Sequence, residues 1–582
     1  DAGVCQDGTC SFSISLWGLI SPDEDHTILV QAQDAQTGEW DTLYDTPKTL
    51  NCFAPQALVV NSTADGVDAN PGDGVCETFI PGQCTLRAAI TESNATPGMD
   101  KVNFNIPGSG PHTISPTYGF DFIFDPVIID GTTQPGFAGA PLIELDGSAA
   151  GPDAQGLVLF AGSSTVRGLV INRFALTGID IAVSGENVIQ GNYIGTDLTG
   201  TVDLGNGVNG ISISQGSGGN LVGGTTLGAG NLISGNGEFG VIIVDPGSDG
   251  NRIQGNWIGT DITGTLDIGN SSVGVVIGAG ASDNLVGGTE PGARNLISGN
   301  DSAGVHFDTI SSTGNRVEGN YIGTDITGTL ALGNVYEGVF VGVGTTGNVI
   351  GGTAPGAGNL ISGNYGNGVT LAEAGTAQNS VQGNYIGTDV TGSLALGNSG
   401  HGVLLAAGAS DNSIGGNSAE AGNLIAFNNA HGVVLTFDAG TGNAISSNSI
   451  HTNGSLGIDL GDDGVTLNDA QDIDAGPANL QNFPELTAVK SKNNGVEVQG
   501  TLLSTPGTSF RLEFFNDSTC DPSEYGEGKT YVGFAQVNTN AAGRTTFKVT
   551  LQTPLTAGNL ITVTATDSAN NTSEFSPCIP VT

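Results

Sequence analysis

The residues best suited to chemistry lie in an acidic stretch, DLGDDGVTLNDAQDIDAGPANLQNFPEL, which begins at Asp459. The stretch contains no Lys or Arg, and its Asp and Asn side chains are interspersed with Gly and other small residues. This arrangement is typical of Ca²⁺-binding loops, because Ca²⁺ prefers carboxylate and carbonyl oxygen ligands. We expect a Ca²⁺ site here, with an ordinary acidic linker as the alternative. The candidate ligands are Asp459, Asp462, Asp463, Asn468, Asp469, Asp472 and Asp474.

A second acidic loop, TADGVDANPGDG at 63–74, is a weaker candidate for the same ion. Its candidate ligands are Asp65, Asp68, Asn70 and Asp73. A further row of carboxylates consists of Asp197, Asp261, Asp325 and Asp389, one in each copy of a repeated loop. One carboxylate per loop is too few for a cation unless backbone carbonyls supply the rest. We therefore interpret these Asp residues as turn residues that accept backbone N–H groups.

The remaining polar residues do not favour catalysis. A catalytic site needs unlike groups with different pKa values, and a hydrolase of this kind needs paired carboxylates in one groove. The acids Asp245, Asp308, Glu373 and Asp438 occur once per repeat, in equivalent places. His306, His401, His431 and His451 look scattered, and we expect them to be loop or surface residues. We expect no enzyme; a polysaccharide lyase or hydrolase is the second alternative to a structural role.

An aromatic row consists of Tyr193, Trp257, Tyr321 and Tyr385. Such a row can stack on sugars, or it can lie beneath the repeated long loop and hold it in place. We favour the packing role.

These residues belong to an internal repeat. GNYIGTDLTG begins at Gly191 and returns, with small changes, at Gly255, Gly319 and Gly383, an interval of 64 residues each time. Within each interval a Gly-Val-x-Ile pattern recurs at alternating spacings of 30 and 34 residues. Each turn therefore holds three short apolar pieces bounded by Gly or Asn, which indicates short strands. Strands stacked at a fixed long period predict an all-β solenoid, the parallel β-helix.

Asn recurs at the boundaries of these strands in two rows. We expect each row to form a structural ladder at a corner, because Asn tolerates left-handed backbone and its amide can bond to the turns above and below. The rows are Asn192, Asn256, Asn320, Asn384 and Asn448, and Asn187, Asn251, Asn315, Asn379 and Asn443.

The chain divides into five segments. Residues 126–460 form the solenoid, and 57–125 form its N-terminal cap, since an open solenoid end exposes unpaired strands. Residues 461–482 are the acidic linker, and 483–582 predict an immunoglobulin-like β-sandwich from regularly spaced strands. Residues 1–56 are a small β-rich segment that is short for an independent domain; it is either the remainder of a larger domain or a strand donor to a neighbouring molecule.

All seven Cys residues lie outside the repeats. Cysteines at the ends of a chain are typical of local staples in a secreted protein. We expect the pairs Cys76–Cys84 and Cys520–Cys578. One of Cys5, Cys10 and Cys52 is then left over, either free or bridged to another chain.

The cap carries the motif Cys84-Thr85-Leu86-Arg87-Ala88-Ala89, followed by DGTTQPG, LIELDGS and the GNLISGN repeats. This pattern resembles the secreted bacterial right-handed parallel β-helix proteins named for a Cys-Ser-Leu-Arg-Glu-Ala motif, from which Thr85 and Ala88 depart. The resemblance covers most of residues 57–482. It implies a right-handed helix and an extracellular or cell-surface location, but no settled activity.

The net charge is −43, from 57 acidic and 14 basic residues. So little positive charge excludes nucleic acid and anionic membranes as partners, and no apolar run is long enough to span a membrane. We expect an extracellular rod that associates with itself head to tail into a filament or surface layer, since unlike ends generate open assemblies. The alternative is an adhesin that binds cell-surface glycans.

Overall fold

The computed structural model describes residues 56–308 and 312–582 in full. Of the first 55 residues it gives only short strands, which form antiparallel pairs: Val4–Gln6 with Thr9–Ser11, His26–Ile28 with Lys48–Leu50, and Gln31–Gln33 with Trp40–Thr42. The side chains of Cys5, Cys10 and Cys52 lie outside the described residues, so the prediction of a left-over cysteine stays a prediction.

Residues 57–461 wind into a right-handed parallel β-helix with three sheets, each strand pairing with its counterpart one turn later. Sheet 1 contains Ala57–Val60, Asp100–Phe104, Val127–Asp130, Thr165–Arg167, Val188–Gln190, Leu221–Gly223, Arg252–Gln254, Leu285–Gly287, Arg316–Glu318, Val349–Gly351, Ser380–Gln382, Ser413–Gly415 and Ala444–Ser446. Sheet 2 contains His112–Ile114, Ile143–Asp146, Leu169–Asn172, Tyr193–Ile194, Leu232–Ile233, Trp257–Ile258, Leu296–Ile297, Tyr321–Ile322, Leu360–Ile361, Tyr385–Ile386, Leu424–Ala426 and Ser449–His451. Sheet 3 contains Leu157–Leu159, Ile179–Ala182, Ile211–Ser214, Val241–Ile243, Val275–Gly278, Val305–Asp308, Val339–Val341, Val369–Ala372, Val403–Ala406, Val433–Thr436 and Ile458–Gly461.

The core of the β-helix is a stack of aliphatic side chains in register. Ile194 pairs with Ile233, which pairs with Ile258, and each of these residues is fully buried. Sheets 1 and 3 present equivalent columns of Val, Ile and Leu to the same interior. Strands of two to five residues are sufficient because each turn buries its apolar side chains against the turns on either side.

Asn ladders line all three corners. In each ladder the Nδ2 atom of one Asn donates to the Oδ1 atom of the Asn one turn on, as from Asn192 to Asn231 at 3.1 Å and from Asn231 to Asn256 at 3.0 Å. The same acceptor oxygen also takes the backbone N–H of the preceding Asn. Both predicted rows lie in ladders, but their members are two turns apart, and an Asn that the prediction did not include joins them, such as Asn231 between Asn192 and Asn256 and Asn220 between Asn187 and Asn251. The third corner has a ladder that the sequence interpretation missed, formed by Asn206, Asn236, Asn270, Asn300, Asn334, Asn364, Asn398, Asn428 and Asn453.

The N-terminal end is covered by the helix Leu86–Ala95, whose residues Leu86, Ala89 and Ile90 enter the core. Thr85 caps the helix by accepting the N–H of Ala88. The predicted disulfide Cys76–Cys84 is present. Single 3₁₀ turns elsewhere span Gly131–Thr133, Gly147–Ala149 and Ala419–Ala421, and a short turn with positive φ at Ala478 and Asn479 spans Pro477–Leu480.

The C-terminal segment forms two antiparallel sheets around their own apolar core, as predicted for a sandwich. One sheet contains Glu485–Lys492, Gly495–Leu503 and Arg544–Leu551. The other contains, in spatial order, Thr530–Asn538, Ser509–Asp517, Leu560–Asp567 and Ile579–Pro580. The predicted disulfide Cys520–Cys578 is also present.

Candidate functional site

The acidic stretch at 459–474 divides into two groups. Asp469, Asp472 and Asp474 place one carboxylate oxygen each within 4.8 Å of one another, and within the described residues this is the one cluster of three or more Asp, Glu, His or Cys side chains so arranged. Burial, together with the negative charges of Asp474 and Asp469, raises the pKa of Asp472 to about 6, although its hydrogen bonds act in the opposite direction. A divalent cation bound by these oxygens would relieve this repulsion.

Hydrogen bonds from the surroundings hold one of the three carboxylates, that of Asp472, in place. Asp472 accepts hydrogen bonds from the backbone N–H of Asn482 at 2.9 Å and from Ser504 Oγ at 2.5 Å. The Oδ1 atom of Asp474 is buried and has no hydrogen-bond partner. A buried acceptor without a donor is costly. The donor set, made of oxygen atoms, fits Ca²⁺ by its chemistry.

The other members of the predicted site have different roles. Asn468 bonds through both side-chain polar atoms to the backbone of Phe483, at 2.9 and 3.0 Å. Asp459 is fully buried at the end of sheet 3 and accepts the N–H of Gly464 at 3.0 Å. Asp462 and Asp463 are exposed.

Asp459 faces His431, which in turn contacts His401, a histidine that the sequence interpretation treated as unrelated to it. His431 Nε2 lies 3.7 Å from Asp459 Oδ2 and 3.8 Å from Asp462 Oδ1. The ring of His401 stacks on that of His431 with centroids 5.4 Å apart. Burial and the neighbouring His431 lower the pKa of His401. The 30-residue spacing between the two histidines, which equals one turn, was the signal that could have predicted this contact.

In the weaker candidate for a Ca²⁺ site, at the N-terminal end, the Asp side chains already accept hydrogen bonds from the protein itself. Asp65 forms a buried ion pair with Arg87, at 2.8 Å between Oδ1 and Nε. Asp68 accepts the backbone N–H groups of Asn70 and Glu77, at 2.8 and 3.0 Å. Asp73 accepts the N–H of Val75. These acids therefore organise the cap rather than converge on one point.

The repeated acids act as turn residues. Asp325 accepts the backbone N–H groups of Thr329 and Leu330 and the hydroxyl of Thr327. Burial alone would raise the pKa of Asp325, but these hydrogen bonds lower it. Hydrogen bonds outweigh burial in the same way at Asp197, Asp261 and Asp389 and lower the pKa of each. The equivalent bonds close the loops at Asp197, Asp261 and Asp389.

The acids that follow the strands of sheet 3 also bond to backbone. Asp245 accepts the N–H of Gln215 at 3.0 Å, Glu373 that of Val343 at 3.1 Å, and Asp438 that of Ala407 at 3.1 Å. Each acceptor lies one turn after its donor, and each donor has a positive φ. These carboxylates therefore stabilise strained corners.

The aromatic row packs beneath the long loops. Tyr193 and Tyr321 are buried, at 9% and 8% exposure, whereas Tyr385 is 41% exposed. Tyr193 shares an apolar cluster with Ile262 of the next long loop and with Trp257, and Tyr321 shares another with Val390 of the next long loop. The row therefore does not offer a continuous sugar-binding face.

A set of glutamates that the sequence interpretation missed joins the sandwich to the last turn of the β-helix. Glu513 accepts the N–H of Ser447 at 2.8 Å, Glu527 that of Asn453 at 3.0 Å, and Glu574 that of Leu460 at 2.9 Å. Phe515 and Phe575 of the sandwich join the β-helix core. The sandwich therefore closes the C-terminal end by satisfying unpaired N–H groups.

A polar cleft of about 540 Å³ lies along this junction. Its lining includes Asp411, Asn417, Arg511, Gln536 and Asp567. Arg511 is already paired with the buried Glu513 at 2.8 Å, so its charge is neutralised.

Comparison with known proteins adds a likeness of fold. No protein-family model and no curated protein matches the sequence. Among the described residues no helix is long and apolar enough to cross a membrane. The mannuronan C-5 epimerase AlgE4 A-module of Azotobacter vinelandii is 12% identical, with 66% of this chain and 93% of that chain covered and a TM-score of 0.34.

Two other solved structures are similar to the same degree. The periplasmic alginate epimerase AlgG is 14% identical over 71% of this chain and 84% of its own, with a TM-score of 0.33. Pectate lyase Pel9A is 12% identical over 69% of this chain and 80% of its own, with a TM-score of 0.25. At this identity the likeness extends to the parallel β-helix and carries no argument about activity.

Proposed function

We propose that this chain is a stiff extracellular rod of the cell surface that associates head to tail with copies of itself. The observation that carries the proposal is that both ends of the β-helix are covered, whereas the sandwich has an exposed sheet edge. Both helix ends are covered by dedicated structures, so the stacked strands cannot extend directly into a second molecule. The sandwich, in contrast, has an uncovered strand.

The strand that we assign to the contact is Thr530–Asn538, one edge of the four-stranded sheet; the other sheet also has an edge strand, Arg544–Leu551. A register shift between Phe514 and Phe515 interrupts its pairing near Tyr531, and its straight part follows from Gly533. Phe534 lies in that straight part and is 51% exposed. An edge of this kind favours addition of a strand from another chain.

The N-terminal segment is the natural partner for this edge. In the sequence it precedes Ala57, in the first strand of sheet 1, whereas the sandwich follows the last strand of sheet 3, Ile458–Gly461. A contact between the sandwich of one molecule and this segment of the next would use unlike surfaces and would leave both terminal surfaces open. Such a contact generates a filament.

The proposal includes a Ca²⁺ ion at Asp469, Asp472 and Asp474, and it includes no catalysis. The ion would fasten the linker to Ser504 and the sandwich through the fixed carboxylate of Asp472. A non-catalytic role is supported by the acids of sheet 3, which form rows of like groups that each bond to a neighbouring turn.

Sedimentation velocity of the full chain over a range of concentrations tests self-association. We expect species larger than the monomer, and we expect Phe534→Glu to shift them towards the monomer because it places a charge on the edge strand. Tyr365→Glu is the matched control, since Tyr365 is 68% exposed on the β-helix. A monomeric wild type at every concentration, or equal effects of the two variants, would overturn the proposal.

A further inference from the structure

A pocket of about 290 Å³ lies beside the N-terminal cap, separate from the metal site and from the sandwich. One wall is aromatic and consists of Tyr118, Phe120 and Phe122. The facing wall runs from Ala150 to Gln155 and includes Val158. The volume is close to the lower limit for small-molecule sites and matches one or two sugar rings.

The aromatic wall is held rigidly from behind by the cap. The Arg87 guanidinium lies 3.8 Å from the centroid of the Tyr118 ring. Arg87 also donates to the carbonyl oxygens of Tyr118 and Gly119, at 2.8 and 2.9 Å. Its pairing with Asp65 neutralises its charge and fixes its position. Tyr118 therefore presents its other side to solvent as a fixed platform, and the ring is 49% exposed.

Phe122 is fixed by a second contact from the cap helix. Asn94 donates to the carbonyl oxygen of Phe122 at 2.7 Å and accepts the N–H of Phe124 at 2.8 Å. The ring of Phe122 is 44% exposed and packs edge-on against Phe160 at 5.2 Å. Two aromatic side chains are thus preorganised around one pocket, which lowers the entropy cost of binding a ligand.

The facing wall contains an acceptor without a donor. The Oε1 atom of Gln155 is buried and has no hydrogen-bond partner. Leaving a buried acceptor unpaired is unfavourable, so a ligand that donates a hydrogen bond to this atom, once the side chain turns towards the pocket, gains from it. Asp153 is exposed at the same wall and offers further acceptor oxygens.

The charge of the pocket selects the class of ligand. Its lining contains no Lys, Arg or His, and the neighbouring Arg87 is neutralised by Asp65. With a net charge of −43 and Asp153 at the rim, the pocket repels anions. Aromatic faces with carboxamide and carboxylate acceptors suit a ligand that has an apolar C–H face and hydroxyl donors but no charge. The C-terminal cleft is larger but has no aromatic lining residue.

We propose that this pocket binds a neutral carbohydrate, with a sugar ring against Tyr118 and Phe122 and one hydroxyl donated to Gln155 Oε1. The exposed ring of Phe124, 5.6 Å from Phe160, extends the aromatic surface beyond the pocket towards a neighbouring sugar unit. The site therefore accepts part of a longer chain rather than an enclosed monosaccharide.

Affinity electrophoresis of the full chain tests the proposal. The probes are soluble neutral polysaccharides (hydroxyethyl cellulose, xyloglucan, arabinoxylan, galactomannan and β-1,3-glucan), with alginate and polygalacturonate as acidic comparators. We expect at least one neutral polymer, and neither acidic one, to retard the protein. Retardation by acidic polymers alone, or by none of the probes, would overturn the proposal.

Two variants separate binding from folding. Gln155→Leu removes the unpaired acceptor, so we expect a thermal midpoint equal to or above that of the wild type together with a loss of roughly tenfold or more in affinity. Phe122→Ala should weaken binding by a similar factor, whereas Tyr365→Ala should not. If Phe122→Ala lowers the thermal midpoint and no variant changes retardation, the aromatic wall packs against the chain itself and the proposal is wrong.

The carbohydrate site does not depend on head-to-tail association. The variant Phe534→Glu alters the sandwich edge and leaves the pocket intact. Retardation of that variant equal to the wild type would show that sugar binding stands without self-association. If polysaccharide retards the wild type but not Phe534→Glu, binding requires the assembled filament. That result would overturn the assignment of the site to a pocket in the single chain.

Discussion

The carboxylate of Glu574, in the sandwich, accepts the backbone N–H of Leu460, in the last strand of the β-helix, at 2.9 Å. Its second oxygen accepts the N–H of Thr466 at 3.0 Å. Glu574 is 3% exposed, and burial raises its pKa to about 8 despite these hydrogen bonds. One acid thus closes the solenoid and anchors the linker at the same point.

The raised pKa predicts that the junction weakens as the pH rises. Between the ordinary Glu value of about 4.5 and the folded value of about 8, the folded state keeps a proton that the unfolded state has released. The stabilisation that Glu574 contributes is therefore complete below this pH window. It is lost as the pH rises through the window, by at most about 1.4 kcal/mol per pH unit. Calorimetric melting of the wild type from pH 5 to pH 8 should show the decline.

Glu574→Gln removes this titration. The amide offers one acceptor instead of two, so we expect a cost of about 1–2 kcal/mol at pH 5 and a flatter pH profile. Glu485→Gln, at an exposed strand position, is the control and should leave the profile unchanged. Parallel profiles for the wild type and Glu574→Gln would contradict the assignment.

Asn320 occupies the middle of one ladder. Its Oδ1 atom accepts the N–H and Nδ2 groups of Asn295, and its Nδ2 atom donates to Asn359 and Val286. Asn320→Ala leaves buried groups unpaired on both neighbouring turns, so we expect a loss of at least about 2 kcal/mol. Because repeat arrays unfold locally, hydrogen exchange at the Asn295 amide is the direct measurement. Asn417→Ala, at an exposed Asn, should have no effect on that amide.

Asp325 closes its long loop through bonds that favour its ionised form. A lowered folded pKa means that this stabilisation is present above the ordinary Asp value of about 3.9 and is lost as the pH falls through the folded value. We expect Asp325→Ala to expose the loop to proteolysis at neutral pH, cleaving near Leu330. The control is Leu330→Ala, a change at a neighbouring exposed residue, which should leave the loop resistant to cleavage. Equal cleavage of the two variants would contradict the role of Asp325.

Asp472 is expected to bind Ca²⁺ only when it is deprotonated. Because its pKa is raised to about 6, affinity measured by titration calorimetry should fall as the pH is lowered from 7 to 5. Asp472→Asn should abolish most of the heat of binding, whereas Asp463→Asn, in the same acidic stretch but outside the cluster, should retain it. Equal binding by both variants would place the ion elsewhere or exclude it.

The sequence predicts those features that repeat at constant spacing. The columns through Ile194 and the ladder through Asn192 follow from the 64-residue interval alone, because stacked turns bring equivalent positions together. The ladder through Asn206 repeats at the same 64-residue interval, at Asn206, Asn270, Asn334 and Asn398, and the sequence interpretation overlooked it. The stacking of His401 on His431 was missed because it occurs once.

The candidate sites were harder to predict because they depend on contacts without a period. Glu574 and Leu460 are separated by 114 residues, and no pattern in the sequence relates them. Composition alone identified the acidic stretch, but the separation of Asp469, Asp472 and Asp474 from Asp459 depends on how the linker folds against Asn482 and Ser504.

Negative-stain electron microscopy of the full chain with Ca²⁺ tests the central claim most directly. The account predicts filaments or sheets with an axial repeat no shorter than about 60 Å, the length of thirteen stacked strands at about 4.8 Å each. The filaments should be lost in Phe534→Glu and retained in Tyr365→Glu. Isolated rods in the wild type, at every protein concentration and with or without Ca²⁺, would contradict head-to-tail self-association.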